Sequence, residues 1–252
     1  MALLSLPSAR ACTSVCIGAS VLLIIVVAVR AEQAMEGKII SVTQALCGDM
    51  AKHNVIRPGA IVGCERLKLI KFSYFGFDDR IHGDGEIMVM DAAAENVLRI
   101  FTKLREMRFP IAKAKLINHY DGDDDASIAD NNTSAFNSRN VAGTNTLSLH
   151  AYGLAIDINP LQNPYVERSE GRLKFSPPAG VAYANRANGK DPHIGLAESI
   201  VDVFADEGFV IWGGTWKNPD YQHFQVSRSL AQQLVRLSPA QARDLFAQHV
   251  GR

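Results

Sequence analysis

The sequence predicts an α+β fold in which a small antiparallel sheet packs against helices. Apolar residues alternate with polar ones in residues 67–75, where Ile70, Phe72 and Tyr74 share one side, and a period of two indicates a half-buried strand. In residues 97–104 the apolar residues recur every three or four positions. This spacing indicates an amphipathic helix that covers one face of a sheet.

The composition is that of a globular chain that can bury one sizeable core. Of its 252 residues, 47% are hydrophobic and 21% charged, and 26 basic residues balance 26 acidic ones. We expect one main domain at residues 64–228, between an N-terminal arm at residues 32–63 and a C-terminal helical cap at residues 229–252. Because the sequence shows no cluster of Lys and Arg, we expect no nucleic-acid partner.

Residues 1–31 have the pattern of an export segment. Arg10 supplies a positive flank, and residues 17–29 are an uninterrupted run of apolar and small residues, too short for a span of about 20 residues. They fit a signal peptide cut after Ala31. Arg30 is atypical for a cleavage region, so an uncleaved inner-membrane anchor stays an alternative. We expect an exported protein, periplasmic or secreted, that meets the membrane only through this segment.

The first elements of the main domain follow from local patterns. In the first strand Lys71 and Ser73 are expected to face solvent, and a second strand is predicted at residues 86–90. Asp91 stands where an N-cap would stand for the helix that follows, and Pro110 stops that helix.

The later elements are predicted in the same way. Residues 115–120 have a strand pattern, and the acidic residues 121–125 are expected to form a solvated loop. Residues 161–190 are rich in Pro, Asn, Gly and charge, which predicts a long loop beside the site. The last predicted elements are a helix from Asp191 to Gly208, a strand at residues 209–212, and helices at residues 229–237 and 238–250, the second opened by a capping box of Ser238 and Gln241.

Export affects whether two internal cysteines are oxidised. In an oxidising compartment Cys47 and Cys64 could form a disulfide that ties the N-terminal arm to the main domain. Two buried free thiols are the alternative, because the sequence gives no distance between them.

Residues 148–160 hold the most informative pattern of the chain. His150 and Asp157 stand on either side of Gly153, which lets the chain bend so that both side chains can reach one point. In residues 155–158 the alternation of a strand turns Asp157 away from two isoleucines. The sequence therefore places an imidazole and a carboxylate where they can converge.

A second pair, Asp220 and His223, follows a Gly-Gly turn. Two imidazoles and one carboxylate suit zinc, and three protein ligands leave the fourth position of a catalytic site for water. We therefore predict one zinc ion held by His150, Asp157 and His223, with Asp220 as the spare carboxylate. Each pair alone has an ordinary explanation as a half-buried histidine and a turn-forming aspartate. The presence of both pairs favours the metal site.

These motifs resemble the zinc D-alanyl-D-alanine carboxypeptidase and L-alanyl-D-glutamate peptidase family, which includes VanY-type enzymes. The similarity is greatest to phage L-alanyl-D-glutamate endolysins and their bacterial relatives. It extends from about Cys64 to Gln225. The matching residues are Ser148-x-His150-x-x-Gly153-x-Ala155-x-Asp157, followed by Trp212-Gly213-Gly214 and Asp220-x-x-His223.

The resemblance implies a zinc peptidase that hydrolyses peptidoglycan stem peptides with a metal-activated water. It makes Asp220 the catalytic base, Arg139 a residue that holds substrate or stabilises the oxyanion, and Ser148 a residue that contacts substrate. Arg binds carboxylates in a bidentate manner, which suits such a peptide. A structural ion pair on a loop is the alternative role for Arg139.

Three functions are compatible with the sequence. The first is an L-alanyl-D-glutamate endopeptidase, the second a D-alanyl-D-alanine carboxypeptidase, and the third a zinc-bearing module that binds peptidoglycan without hydrolysing it. The presence of Asp220 argues against the third. The first two differ in pocket shape, which depends on the loop at residues 161–190.

Overall fold

The computed structural model describes residues 37–169 and 171–251. The export segment at residues 1–31 and the cut after Ala31 lie outside the described residues and stay predictions. No helix in the described part of the chain is long and apolar enough to cross a bilayer.

The described residues confirm the α+β class, with antiparallel strands packed against helices. The strands are β1 (Lys38–Ser41), β2 (Leu67–Phe75), β3 (Ile81–Met90), β4 (Ala155–Asp157), β5 (Tyr165–Ser169), β6 (Arg172–Ser176), β7 (Ile211–Trp212) and β8 (His223–Gln225). The α-helices are α1 (Gln44–Lys52), α2 (Ala94–Glu106), α3 (Asp124–Ala129), α4 (Val201–Asp206), α5 (Arg228–Leu234) and α6 (Pro239–Val250).

The larger sheet has the order β1–β2–β3, with both pairs antiparallel. Helix α2 packs on it, as the periodicity predicts, and the ring of Phe101 stacks on Phe72 at 3.9 Å between centroids. Ile70 lies in the middle of the sheet between Ile39 and Ile87 and is fully buried. The main core therefore lies between this sheet and α2.

The smaller sheet has the order β4–β8–β7 and is also antiparallel. Ile156 of β4 lies opposite Phe224 of β8, and both are fully buried. Phe204 from α4 stacks on Phe224 at 4.0 Å. One face of this three-stranded sheet therefore packs against the core. The polar residues of the strands lie on the other face.

Residues 133–136 connect the two sheets. Ser134 and Asp157 exchange both backbone hydrogen bonds, at 3.0 and 2.8 Å, and the N–H of Phe136 donates to Met88 of β3 at 3.0 Å. Because the backbone groups of this buried segment form hydrogen bonds with both sheets, the segment fixes the distance between the two sheets. The polar face of the smaller sheet is therefore held at a fixed position beside β3.

The cysteine pair forms a disulfide, Cys47–Cys64, with an S–S distance of 2.00 Å. It joins α1 to the start of β2. Beyond α1, the carbonyl of Val55 accepts a hydrogen bond from the N–H of Ser138 at 2.9 Å. The disulfide-linked segment therefore supports the stretch of chain that leads into the site.

The C-terminal helices are held by a largely buried cation, Arg66. Its guanidinium donates to both carboxylate oxygens of Asp91, at 2.9 and 3.1 Å, and to the carbonyl oxygens of Leu237 and Leu234, at 3.0 and 3.4 Å. The predicted capping box at the start of α6 is confirmed between Ser238 and Gln241.

Two predictions near the larger sheet are wrong. Asp91 does not cap α2, whose N-cap residue is Ala93; its carboxylate is buried and binds Arg66, and a charged bidentate partner is stronger than a backbone N–H. Ser73 does not face solvent but is buried and accepts a hydrogen bond from Arg105 at 2.8 Å, because α2 lies across it.

Residues 115–120 do not form a strand. The N–H of Lys115 donates to Oδ1 of Asn132 at 2.8 Å, and the C=O of Lys115 accepts from Nδ2 of Asn132 at 3.0 Å. The Asn132 side chain therefore binds the backbone groups that a neighbouring strand would otherwise bind. The chain then forms a 3₁₀ turn, Ile117–Tyr120. The acidic stretch that follows is not simply a solvated loop either, because Asp123 caps α3 and Asp124 pairs with Arg139.

The predicted loop at residues 161–190 contains the β5–β6 hairpin. Its strands are short and only partly exposed, so their alternation of apolar and polar residues is weak. Strand β5 also has a partner from elsewhere in the chain, since the N–H of Val166 donates to the carbonyl of Pro219 at 2.7 Å. The predicted helix from Asp191 to Gly208 is α-helical only in α4. Gly195, at φ 77°, interrupts it, and the Asn163 side chain binds the carbonyl of Gly195 and the N–H of Ala197.

Candidate metal centre

The register of the smaller sheet brings two of the predicted ligands together. Asp157 of β4 lies directly opposite His223 of β8, although 66 residues separate them. Residues that face each other across antiparallel strands have neighbouring side chains on one face. Because Ile156 and Phe224 occupy the opposite face, Asp157 and His223 must share the polar face.

The third predicted ligand, His150, lies in the 3₁₀ turn Leu149–Tyr152. Ser148 caps this turn, since its hydroxyl accepts the N–H of His150 at 3.2 Å. Gly153 ends the turn at φ 65°, and a Cβ there would lie 2.6 Å from the backbone nitrogen of Met90. Only glycine allows this positive φ and this close approach to β3, so Gly153 decides where His150 lies.

The donor atoms of His150, Asp157 and His223 form a small triangle. Nε2 of His150 lies 3.2 Å from Nδ1 of His223 and 3.2 Å from Oδ2 of Asp157, and Nδ1 of His223 lies 2.9 Å from Oδ1 of Asp157. A tetrahedral zinc site with bonds of about 2.0–2.2 Å has ligand atoms about 3.3–3.6 Å apart. The three residues are buried and are the described group of His, Cys, Asp and Glu residues that could hold a metal ion.

The outer nitrogens of both histidines are engaged by fixed acceptors. Nδ1 of His150 donates to the carbonyl of Ala135 at 2.5 Å, and Nε2 of His223 donates to Oε1 of Gln225 at 2.8 Å. In the neutral rings the lone pairs of the other two nitrogens therefore point into the triangle. Such outer partners fix the tautomer of a metal-binding histidine, so this donor set fits a metal ion.

The metal-free electrostatics agree with a cation site. Burial lowers the pKa of His223, but its hydrogen bond to Asp157 and the charge of that carboxylate outweigh burial and raise the pKa to about 9. Burial favours the protonated form of Asp157, but the charge and hydrogen bond of His150 and the hydrogen bond of His223 hold its pKa well below the usual range. Both shifts show that the site favours positive charge.

Asp220 lies beside this triangle in a tight turn. The carbonyl of Gly213 accepts its N–H at 3.0 Å, and the amide of Gln222 donates to its Oδ1 at 3.2 Å. Burial raises the pKa of Asp220 to about 6; the charge of His223 opposes this shift and the charge of Asp157 adds to it. Asp220 is therefore a carboxyl group that can exchange a proton near neutral pH.

The two predicted substrate-binding residues are located differently. Ser148 is buried, and its hydroxyl is used to cap the turn that carries His150. The guanidinium of Arg139 forms an ion pair with Asp124, which is the structural alternative considered for it. Arg139 also lies next to the site through its backbone, because its carbonyl accepts the N–H of Ser148 at 3.1 Å.

Four groups near the centre are not predicted from the sequence. They are the carbonyl of Ala135, the amides of Gln222 and Gln225, and the indole of Trp216, whose ring lies 5.5 Å from that of His223. The alternation of β8 could have indicated Gln225, which shares a strand face with His223. A backbone carbonyl leaves no signal in a sequence.

A sequence model of the D-alanyl-D-alanine carboxypeptidase family matches residues 142–226. The matched segment contains the triangle, Asp220 and Ser148, whereas Arg139 precedes it. No curated protein and no solved structure matches the chain. The match supports the resemblance to VanY-type peptidases at the level of the broad family, and with it a hydrolase that acts on peptidoglycan peptides.

Proposed function

We propose that the protein is a zinc-dependent endopeptidase that cleaves the L-alanyl-D-glutamate bond of peptidoglycan stem peptides. The observation that carries the proposal is the triangle of His150, Asp157 and His223, whose inner ring nitrogens and carboxylate converge, beside a carboxyl group whose pKa is raised to about 6. A metal-binding triad next to a proton-exchanging carboxylate is what metal-assisted amide hydrolysis requires.

The donor set favours zinc. His150 and His223 would bind through Nε2 and Nδ1, and Asp157 through its carboxylate. Two imidazoles and one carboxylate with a fourth position open is a known catalytic zinc arrangement. When bound, zinc supplies a Lewis acid that polarises the scissile carbonyl and lowers the pKa of the attacking water towards 7.

The protein's own acid–base group is Asp220. Its free carboxylate oxygen takes a proton from the attacking water, and the resulting carboxylic acid gives that proton to the leaving amine. A pKa of about 6 suits both steps, because a group that both accepts and donates a proton works best when its pKa lies near the working pH. Gln222 donates to Oδ1, so we assign the proton-accepting role to Oδ2.

The endopeptidase assignment rests on the likeness of the motifs to phage endolysins and on the ion pair of Arg139. A carboxypeptidase needs an unpaired cation for the terminal carboxylate of its substrate, and Arg139 is already paired with Asp124. The D-alanyl-D-alanine carboxypeptidase is the second candidate, favoured by the description of the matching family. A non-hydrolysing zinc-bearing peptidoglycan-binding module is the third, and Asp220 argues against it.

We also propose that the protein acts outside the cytoplasm, periplasmic or secreted. The Cys47–Cys64 disulfide supports an oxidising compartment, and residues 1–31 have the pattern of an export segment. The proposed partner is the stem peptide alone, with no nucleic acid, and the membrane is contacted only through residues 1–31 if they are not cleaved.

The test is mass spectrometry of muropeptides incubated with the purified protein. An endopeptidase releases disaccharide-L-alanine and a peptide that begins with D-glutamate. A carboxypeptidase removes one terminal D-alanine instead, and a binding module leaves every mass unchanged. The Asp220→Asn protein is the matched control, because it keeps the proposed zinc ligands and lacks the base.

A further inference from the structure

Trp216 is an exposed aromatic residue that touches a proposed zinc ligand. Its ring centroid lies 5.5 Å from that of His223, with the planes tilted by 46°, and 40% of its surface stays exposed. Tryptophan side chains are highly buried on average. Trp216 instead keeps a broad apolar face in solvent beside the site where a substrate must bind.

The backbone holds Trp216 and Asp220 on a common anchor. The carbonyl of Gly213 accepts the N–H of Trp216 and the N–H of Asp220, both at 3.0 Å. A Cβ at Gly213 would lie 2.6 Å from the carbonyl oxygen of Asp220 and 3.3 Å from Cε3 of Trp216. The indole and the proposed base are therefore set at a fixed spacing, as catalytic and substrate-binding groups need to be.

The second tryptophan of the chain, Trp212, shows what a structural indole does here. Its Nε1 donates to the carbonyl of Tyr221 at 2.8 Å, and its ring stacks with Phe224 of the core. Within residues 37–169 and 171–251, Nε1 of Trp216 donates no hydrogen bond to a protein acceptor. The fold uses the N–H of Trp212 and leaves that of Trp216 available.

We propose that Trp216 is a substrate-binding residue that lies beside the proposed zinc site and packs against the alanyl residue whose carbonyl is cleaved. An alanine methyl group is small and apolar, so a flat indole can cover it together with the peptide plane, and the free N–H can donate to a peptide carbonyl. An alanyl residue supplies the scissile carbonyl in both L-alanyl-D-glutamate and D-alanyl-D-alanine bonds. The inference rests on the proposed function but not on the choice between these two bonds.

Fluorescence separates the two tryptophans, since the chain contains only two. In the zinc-loaded Asp220→Asn protein, which should turn over substrate at least about 100-fold more slowly, Trp212→Phe leaves only Trp216 to emit and Trp216→Phe leaves only Trp212. Titration with an L-alanyl-D-glutamate tripeptide should change the emission of the first variant in a saturable manner. It should leave that of the second variant unchanged.

Steady-state kinetics provide the second measurement. Trp216→Ala, with Asp220 intact, should raise KM about 10-fold at near wild-type kcat, since it removes binding energy common to the bound substrate and the transition state. Trp216→Phe should recover part of the loss. Zinc content should equal that of the wild type in both variants.

The outcomes distinguish this inference from the proposed function. If wild-type protein cleaves stem peptide and Trp216→Ala has the same KM, Trp216 does not bind substrate although the function stands. If Trp216→Ala loses zinc, its role is to support His223 and the inference is wrong. If wild-type protein neither binds nor cleaves stem peptide, the proposed function fails and this inference fails with it.

Discussion

At the scale of single residues, the candidate centre depends on which nitrogen each histidine presents. His150 presents Nε2 because Ala135 engages its other nitrogen, whereas His223 presents Nδ1 because Gln225 engages Nε2. The two rings reach the triangle from different elements, a 3₁₀ turn and a strand. Each ligand is therefore fixed by a partner outside the triangle, as is usual for metal-binding histidines.

Removing any ligand should remove the metal. His150→Ala, Asp157→Ala and His223→Ala each leave two donors, and we expect zinc affinity to fall more than about 100-fold, which exceeds the usual loss for an outer partner. Activity should be lost with the metal. Elemental analysis of the purified variants checks this, and stoichiometric zinc retained by His150→Ala would exclude this residue as a ligand.

Replacing the proposed base should separate metal binding from catalysis. Asp220→Asn keeps the shape and most hydrogen bonds but lacks the proton-accepting oxygen, so zinc should stay bound while kcat falls by about 10²–10⁴-fold. The measurement is turnover of a stem peptide together with zinc content. Near wild-type turnover would make Asp220 a bystander, and loss of zinc would make it a fourth ligand.

The raised pKa of His223 predicts proton release on metal binding. At about 9, against an ordinary value of 6.5, this imidazole is protonated at pH 7, and the ion must displace the proton. Zinc affinity should therefore rise about tenfold per pH unit from about pH 6.5 to about pH 9. The same proton stabilises the metal-free fold fully below pH 6.5, and this stability is lost as pH rises through about 9.

Calorimetry in two buffers of different ionisation enthalpy counts the released protons and gives the affinity at each pH. An affinity that does not change between pH 6.5 and 8.5 would show that His223 is already neutral in the metal-free protein.

At the scale of elements, the register of β4 against β8 decides the site. Asp157 faces His223 only in the observed pairing. Moving one strand by a single residue would turn the whole set of side chains to the other face, placing Ile156 at the metal and Asp157 in the core. The burial of Ile156 and Phe224 therefore also keeps Asp157 opposite His223, because any other register would expose these apolar side chains and destabilise the fold.

Gly153 should be needed for both stability and metal binding. Gly153→Ala places a Cβ 2.6 Å from the nitrogen of Met90 in addition to the strain of φ 65°. We expect a loss of stability clearly above the about 1–2 kcal/mol for positive φ alone, with weaker zinc binding because His150 must shift. Urea denaturation and zinc titration measure the two effects.

The matched control is Gly59→Ala. Gly59 has φ 79° and open space around its Cβ position, so only the strain of positive φ applies. This variant should lose about 1–2 kcal/mol and bind zinc normally. If both variants lose the same stability, the close approach of Gly153 to β3 is unimportant.

At the scale of the whole molecule, the disulfide should contribute to stability without contributing to chemistry. Cys47 and Cys64 are 17 residues apart, and closing a loop of that size in the unfolded chain is worth about 3 kcal/mol. A reductant should lower the free energy of unfolding by roughly this amount, with zinc affinity little changed because no cysteine lies in the triangle. A Cys47→Ser/Cys64→Ser protein should be equally unstable and insensitive to reductant; unchanged stability after reduction would contradict the prediction.

The amount that could be predicted from the sequence differs from part to part of the molecule. The strand at Leu67–Phe75, α2 and the capping box of α6 follow from patterns of two to four residues, because their cause lies in neighbouring side chains. The strand predicted at residues 115–120 fails because Asn132 captures the backbone of Lys115. No local pattern contains that contact.

The candidate ligands could be named from the sequence because residue type and spacing already limit them. An imidazole and a carboxylate on either side of Gly153, and a second imidazole after a Gly-Gly turn, are local facts that suit one metal. The tertiary structure decided everything that depends on distant parts of the chain: the pairing of Asp157 with His223, the nitrogen that each histidine presents, and the ion pair of Arg139. The physical reason is that hydrogen bonds and burial act between neighbours in space, and only folding makes residues 66 positions apart into neighbours.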